Sequence, residues 1–224
     1  MTVTAADLGT QRGAARLERV RELQARVRQI EDTRTVETHD VLPALEPLFP
    51  AGGLRVGSAY AVNGSMTLAM ALLAGASASG SWCGVVGVPA FGAEAAAAVG
   101  IELERTVLVP EPAEHWVAVT AALIDVLSVV VLRPPSRVTD GDVARLLARL
   151  RQRGATLIAL GDWPRSEMRL SIDDSRWLGL GAGHGHLSAR RVTVRADLRT
   201  GRHRETGLWL PDPDNRIRPV EEAG

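Results

Sequence analysis

Short runs of uninterrupted apolar residues most constrain how this chain can fold. Val129 to Leu132 and Leu157 to Leu160 are apolar at every position, whereas a strand with one solvated face alternates apolar and polar residues. Runs of this length, bounded by polar or turn residues, predict strands that are buried on both faces. Such strands occur in parallel sheets that carry helices on both sides.

Strand-like and helix-like segments alternate from residue 55 onward, which predicts right-handed βαβ units and a doubly wound α/β domain. The predicted strands cover residues 56–62, 83–88, 106–109, 127–132 and 155–161. The predicted helices cover residues 65–78, 92–99, 113–124 and 139–152. The last helix has an N-cap signal at Thr139 and a stop signal at Gly154.

A separate N-terminal region, residues 1–50, is predicted ahead of this domain. Apolar residues recur at three- and four-residue spacing over residues 11–31, which predicts an amphipathic helix that packs on its own core or docks on a neighbouring chain. Its apolar stripe consists of Leu17, Val20, Leu23, Val27 and Ile30. Prolines at 43, 47 and 50 then indicate an extended linker.

The pattern changes after residue 170. Alternation and β-branched residues over 176–180, 189–197 and 204–210 predict a small antiparallel extension on one edge of the sheet. Arg199 to Arg202 is typical of a hairpin turn. We therefore expect one core domain over residues 51–210, followed by a tail, residues 211–224, that is flexible or lies along a surface.

Composition restricts the possible functions. The formal net charge is zero at pH 7, so bulk charge favours neither nucleic acid nor membrane as a partner. Cys83 is the only cysteine, so no internal disulfide can form, and a cytoplasmic protein is expected. We find no secretory signal pattern, and the most apolar stretch, 66–76, is too short to span a bilayer.

The turn after the first core strand is where nucleotide chemistry would be expected. A P-loop, GxxxxGK[ST], holds phosphates with backbone N–H groups and a lysine, and its hydroxyl binds Mg²⁺. Here the turn region contains Asn63, Gly64, Ser65 and Thr67, and the whole chain has no lysine. Ser65 or Asn63 is better interpreted as a helix N-cap than as the remnant of a metal ligand.

The order of these segments resembles the RecA core over residues 50–210. Gly53 to Tyr60 resembles its first core strand, and Thr67 to Leu72 the start of the helix after its P-loop. Leu127 to Leu132 resembles its Walker B strand. Thr156 to Leu160 resembles the strand that ends at its nucleotide-sensing glutamine.

The chain departs from this resemblance where ATP chemistry would occur. Arg133 stands where the Walker B aspartate would hold Mg²⁺. No glutamate lies in 86–90 to match the catalytic one, and the sensing glutamine falls near Asp162. These losses predict a protein that is not an enzyme and has no cofactor or metal. An ATPase that uses Arg133 directly is the enzyme-class alternative.

A short RecA-like chain with these losses resembles the ImuA family, particularly its actinobacterial ImuA-prime form. The resemblance implies a non-catalytic adaptor in SOS-induced translesion DNA synthesis. Its partner would be an ImuB-like protein, a Y-family polymerase homologue without polymerase activity, and indirectly an error-prone replicative-type DNA polymerase. A division inhibitor similar to SulA and a DNA-binding module are the alternatives.

Two segments are candidate partner surfaces. The first is rich in arginine and contains Arg190, Arg191, Arg195, Arg199, Arg202, Arg204 and Trp209. Arg and Trp are enriched at interface hot spots, so protein binding is favoured over a solvated edge strand or DNA contacts. The second is the stripe of Leu17, Val20, Leu23 and Val27.

His184 and His186 are the one pair that suggests metal binding. They lie in a glycine-rich segment without a nearby cysteine or a carboxylate cluster. Two histidines alone make a weak site, so a surface loop is the better interpretation.

Overall fold

A nine-stranded sheet forms the centre of the described part of the chain in a computed structural model. The structure describes residues 36–134, 137–181 and 184–220. Its strands are β1 (Thr38–His39), β2 (Leu54–Arg55), β3 (Ala59–Val62), β4 (Cys83–Val86), β5 (Thr106–Val109), β6 (Val129–Leu132), β7 (Thr156–Leu160), β8 (Met168–Gly181), β9 (His184–Leu198), β10 (His203–Trp209) and β11 (Arg218–Pro219). Its α-helices are α1 (Met66–Ala78), α2 (Ala93–Ala98), α3 (Trp116–Ile124) and α4 (Asp140–Arg153).

The sheet has the order β11-β10-β9-β8-β3-β7-β6-β4-β5. Neighbouring strands from β8 to β5 in this order pair in parallel. β8, β9, β10 and β11 pair antiparallel, and β1 and β2 form a small separate ribbon. This confirms the predicted doubly wound, mostly parallel sheet with an antiparallel C-terminal extension.

The sheet separates two hydrophobic cores. One lies under α1 and a 3-10 helix at Pro43–Leu48, and it includes inward-facing residues of β8, β9 and β10. The other lies under α3 and α4, and its buried strand residues come from the parallel strands. All four residues of β3, β4 and β6 and all five of β7 are buried. Because both faces of these strands are covered, their sequences do not alternate.

The two long helices show different sequence patterns because they are buried to different extents. In α1, ten residues are buried, so apolar or small residues are needed on every side of the helix. In α4, four apolar residues face the core, and the other positions are polar, alanine or glycine. Thr139 and Asp142 form a capping box at its start, and Gly154 ends it in the left-handed conformation, as predicted.

The compact unit begins at Glu37, so residues 37–50, which the sequence places ahead of the core domain, pack with it. The segment expected to be an extended linker contains the 3-10 helix Pro43–Leu48. Leu45 and Leu48 are fully buried, and Phe49 packs edge-on against the ring of Tyr60. The prolines therefore shape a short helix whose apolar residues complete the core. The helix predicted over residues 11–31 lies outside the described residues.

The expected tail also belongs partly to the core domain. β11 pairs with β10, and buried Asp212 accepts hydrogen bonds from the backbone N–H groups of Asp214 and Arg216. Residues 211–220 are therefore held against the core domain. The buried turn at Asp212 anchors them.

Candidate functional site

Only three residues, Asn63 to Ser65, connect β3 to α1. Gly64 adopts a φ of +70°, which supports the tight turn. The N–H of Asn63 donates to the carbonyl oxygen of Leu170 on β8, at 2.9 Å. This N–H group is therefore already hydrogen-bonded within the sheet. The turn has three residues, whereas the P-loop motif has six residues before its lysine.

Ser65 is the N-cap of α1. Its Oγ accepts a hydrogen bond from the N–H of Leu68 at 3.1 Å, and the residue is buried. Thr67, the second residue of the helix, is half-buried. The predicted N-cap role of Ser65 is confirmed. The Ser65 hydroxyl is hydrogen-bonded to the backbone of α1, whereas the hydroxyl of a P-loop binds a metal ion.

Arg133 directly follows β6 and is exposed. Its N–H donates to the carbonyl oxygen of Val86, at 2.9 Å. At Gly87, which has a φ of +75°, an added Cβ would lie 2.2 Å from the carbonyl oxygen of Arg133. The ends of β4 and β6 therefore meet through backbone contacts, with the charge of Arg133 at the edge.

Asp162, near which the resemblance places the sensing glutamine, is exposed and lies 3.4 Å from a guanidinium nitrogen of Arg169. Within the three described stretches, no group of three or more His, Cys, Asp or Glu could hold a metal ion. The carboxyl edge of the sheet thus presents Arg133 where the resemblance would place a metal-binding aspartate. It presents Asp162, paired with Arg169, near the position of the sensing glutamine.

Strand alternation divides the arginine-rich segment between the two faces of the sheet. Arg204 lies opposite buried Ala196, and its guanidinium donates to the carbonyl oxygen of Pro47 at 2.9 Å. On the same face, the guanidinium of Arg190 stacks on the ring of Trp177 at 5.5 Å and donates to Ser175 Oγ. The predicted cluster is therefore not one continuous surface.

On the opposite face, Arg195 is surrounded by carboxylates. Its Nε donates to Asp197 at 2.9 Å, and its Nη1 lies 3.6 Å from Glu205 and 3.9 Å from Asp173. The hydrogen bond with Asp197 raises the pKa of the Arg195 guanidinium. This charge is neutralised within the sheet.

Further along this face, Arg191 and Arg176 are cross-strand neighbours, and Arg191 is also opposite Trp209. Both arginines are exposed. Neither has a carboxylate within 4 Å among the residues that the structure describes. Sequence reasoning missed Arg176, because the register of β8 with β9 shifts on both sides of this residue.

Arg199 and Arg202 lie at the hairpin turn after β9, where Gly201 has a φ of +81°. Arg199 Nε is 3.9 Å from a carboxylate oxygen of Glu167, and Arg202 is exposed. The predicted hairpin at residues 199–202 is confirmed. His184 pairs through its backbone with Gly181, whereas the side chains of His184 and His186 lie outside the described part.

The candidate residues Leu17, Val20, Leu23 and Val27 also lie outside the described residues. Cys83 is buried, and burial raises the pKa of its thiol to about 12. The thiol is therefore protonated at neutral pH and unreactive. None of the helices that the structure describes is long and apolar enough to cross a membrane.

Comparisons with known proteins support the fold and define the family. The chain is similar to the crystal structure of the RadB recombinase, with a TM-score of 0.57, 16% identity and coverage of 80% of this chain and 97% of that one. This likeness shows a RecA-like fold. The chain is 32% identical over 169 residues to the uncharacterised protein Rv3395c of Mycobacterium tuberculosis (strain ATCC 25618 / H37Rv), covering 75% of this chain and 80% of the relative.

A family model described as the MT3502 N-terminal domain matches residues 47–165. This match begins at Pro47, near the end of the 3-10 helix, and includes the parallel strands β3 to β7. The chain belongs to the MT3502 N-terminal domain family.

Proposed function

We propose that this protein is a non-catalytic, RecA-like adaptor in a translesion DNA synthesis complex. The observation that carries the proposal is the turn between β3 and α1, which has three residues and no lysine. A turn of this length cannot curl successive N–H groups around a triphosphate. What the fold retains is a rigid body that holds surfaces in fixed positions.

Loss of hydrolysis is proposed because each missing group has a separate chemical role. Lysine neutralises the β/γ-phosphates, and a carboxylate holds the metal that bridges them. Arg133 at the second position would repel the metal ion. A single substitution in this chain could therefore not supply both the positive charge of the lysine and the negative charge of the carboxylate.

The exposed pair Arg176 and Arg191, with Trp209 beside it, is the proposed partner surface. Like charges directly opposite each other on neighbouring strands destabilise a sheet. An acidic partner segment would relieve this repulsion, and Trp209 would add apolar contact area. The face is also free of α3 and α4, whose buried contacts come from the parallel strands.

The proposed partner is an ImuB-like protein. This step rests on the resemblance to the ImuA-prime form, which combines a short RecA-like chain with the same losses of ATP-binding residues. The apolar stripe of Leu17, Val20, Leu23 and Val27 is the second proposed contact. Binding through this stripe would leave the core domain free to bind a further component.

A pull-down with an ImuB-like protein tests the proposal. The full chain, a chain of residues 37–224 and the double variant Arg176→Glu/Arg191→Glu are compared at equal concentration. Arg145→Glu is the matched control, since Arg145 is exposed on α4, away from this face. We expect the full chain to bind, the control to bind equally, and one of the other two forms to lose binding.

Absence of binding by every form would overturn the adaptor proposal. Binding to a tubulin-like division protein instead would favour the division-inhibitor alternative. Phosphate release from Mg·ATP is measured on the same preparations, with and without DNA. Turnover that disappears in Arg133→Ala would contradict the non-catalytic part of the proposal.

A further inference from the structure

A cavity of about 560 Å³ lies at the amino end of β3, opposite the Asn63 turn. Its walls come from four parts of the chain: the β2–β3 connection, α4, the loop between β7 and β8, and the hairpin turn after β9. Its charged lining residues are Arg55, Arg151, Arg165, Arg199 and Glu167. Four guanidinium groups against one carboxylate give this concave surface a formal charge of +3.

Glu167 forms long ion pairs with two of the arginines but no hydrogen bond with either guanidinium. Its Oε1 is 3.7 Å from Arg55 Nη1, and its Oε2 is 3.9 Å from Arg199 Nε. Both distances exceed the range of a hydrogen bond. Arg199 is also fixed through its backbone, because its N–H donates to the carbonyl oxygen of Glu167 at 3.0 Å. The guanidinium donors of both arginines therefore remain available to a ligand.

The other two arginines have no carboxylate within 4 Å in the described parts of the chain. Arg151 is placed by close packing: a Cβ on Gly57 would lie 3.2 Å from the Cα of Arg151. Arg165 has a φ of +58°, a left-handed conformation that is uncommon for an arginine. Both residues line the cavity and add their positive charges to it.

We propose that this cavity binds phosphate groups. The planar guanidinium fork matches phosphate oxygens and forms paired charge-assisted hydrogen bonds. A ligand with two or more negative charges would also offset the repulsion among four arginines. None of the described lining residues is aromatic, so the cavity offers no stacking surface for a base and recognises the phosphates themselves.

The phosphates belong either to the backbone of a nucleic-acid strand or to a free polyphosphate such as pyrophosphate. The inference goes beyond the adaptor role, which needs no phosphate ligand. It also differs from DNA binding by the arginine-rich strand, because only Arg199 is shared and the other three arginines come from β2, α4 and the β7–β8 loop.

Two titrations of the purified full chain test the site. Calorimetry measures binding of inorganic pyrophosphate, and fluorescence anisotropy measures binding of a labelled short oligothymidylate over a range of salt concentrations. We expect Arg151→Gln/Arg165→Asn to weaken binding about tenfold and, for the oligonucleotide, to reduce the salt dependence by about two phosphate contacts. Asn is chosen at 165 because it tolerates a positive φ.

Two further variants separate the site from general charge effects. Glu167→Gln removes the only carboxylate of the lining and should tighten binding about threefold. Arg145→Gln, an exposed arginine of the same helix outside the lining, should change binding less than about twofold. Melting curves of all variants verify folding.

The result also identifies the source of the phosphate. Effects of the variants on oligothymidylate binding support a nucleic-acid backbone, and effects on pyrophosphate alone support a small polyphosphate. No binding of either probe, or equal weakening by Arg145→Gln and the double variant, would overturn the site. None of these outcomes bears on binding of an ImuB-like protein.

Discussion

Two glycines in helices have opposite roles, and they allow a test at the scale of single residues. Gly75 lies in α1 where the helix presses against the chain at Val41. A Cβ there would lie 2.3 Å from the carbonyl carbon of Val41 and 2.7 Å from the backbone nitrogen of Leu42. Backbone atoms cannot rotate away, so we expect Gly75→Ala to destabilise the protein by about 2 kcal/mol or more.

Gly141→Ala is the matched control. Gly141 lies in the first turn of α4, and an added Cβ would meet only Thr139 Oγ1, at an ordinary contact distance of 3.7 Å. Since alanine has the higher helix propensity, we expect a gain of about 0.5 kcal/mol. Urea unfolding measures both changes. Equal effects of the two substitutions would show that Gly75 is not in close contact with residues 41–42.

At this scale the sequence predicts local interactions and misses distant ones. The caps at Ser65, Thr139 and Gly154 could be predicted because a cap depends on residues within one helical turn. The roles of Gly75 and Arg176 could not, because their contacts lie on segments far along the chain. Arg165 and Glu167 were missed for the same reason.

One carboxylate links the end of α3 to α4 through ion pairs. Asp125, at the end of α3, accepts hydrogen bonds from the guanidinium groups of Arg149 and Arg153 on α4. The hydrogen bond from Arg149 is the main cause that holds the pKa of the Asp125 carboxyl below its ordinary value. A lowered folded-state pKa means that the carboxylate stabilises the folded protein above the unfolded pKa of about 3.9 and loses this effect as the pH falls through the folded value.

We therefore predict that Asp125→Asn destabilises the protein at pH 7 and that the difference from wild type shrinks below about pH 4. Urea midpoints at both pH values measure this. Asp174→Asn, which removes an exposed carboxylate without an ion pair among the described residues, is the control. A difference that is constant over this pH range would contradict the role of the ion pair.

At the scale of elements, the type and order of the core strands and helices could be predicted well. Burial on both faces leaves uninterrupted apolar runs, and α4 shows an amphipathic pattern between clear caps. The segment from residue 43 to 50 was misjudged, because its prolines indicate a linker as strongly as they permit a 3-10 helix. Only the packing of Leu45 and Leu48 against β10 and α1 distinguishes a 3-10 helix from an extended linker. These contacts join residues that are far apart in the sequence.

For the whole molecule, the position of this segment predicts where the chain can be shortened. A chain that begins at residue 37 should fold with a melting temperature close to that of the full chain, since the compact unit begins there. A chain that begins at residue 51 loses the buried side chains of Leu45, Leu48 and Phe49. Each contributes about 1.5–3 kcal/mol, and together they approach the total stability of a typical domain.

Circular dichroism melts of the two shortened chains measure this effect. We expect a cooperative transition for residues 37–224 and none for residues 51–224. A cooperative melt of the shorter chain at the same temperature would show that the 3-10 helix contributes little to the core. A full chain with Leu45→Ala and Leu48→Ala provides the intermediate case.

The architecture of the whole sheet could be anticipated from segment order, including the antiparallel extension. The candidate site could not, because sites on this molecule combine residues from several strands and loops. Arg191, Arg176 and Trp209 come together only in the register of β8, β9 and β10. The phosphate cavity requires four separate segments, none of which has a recognisable motif.

The short turn between β3 and α1 has an evolutionary consequence. A lysine introduced there gains no phosphate ligand while the turn has three residues, and an insertion without the lysine disturbs the Asn63–Leu170 hydrogen bond and the Ser65 cap. Each single step toward a nucleotide-binding turn is therefore neutral or harmful to stability. Selection for folding alone therefore favours the short turn without a lysine in descendants of this chain, whatever partner they acquire.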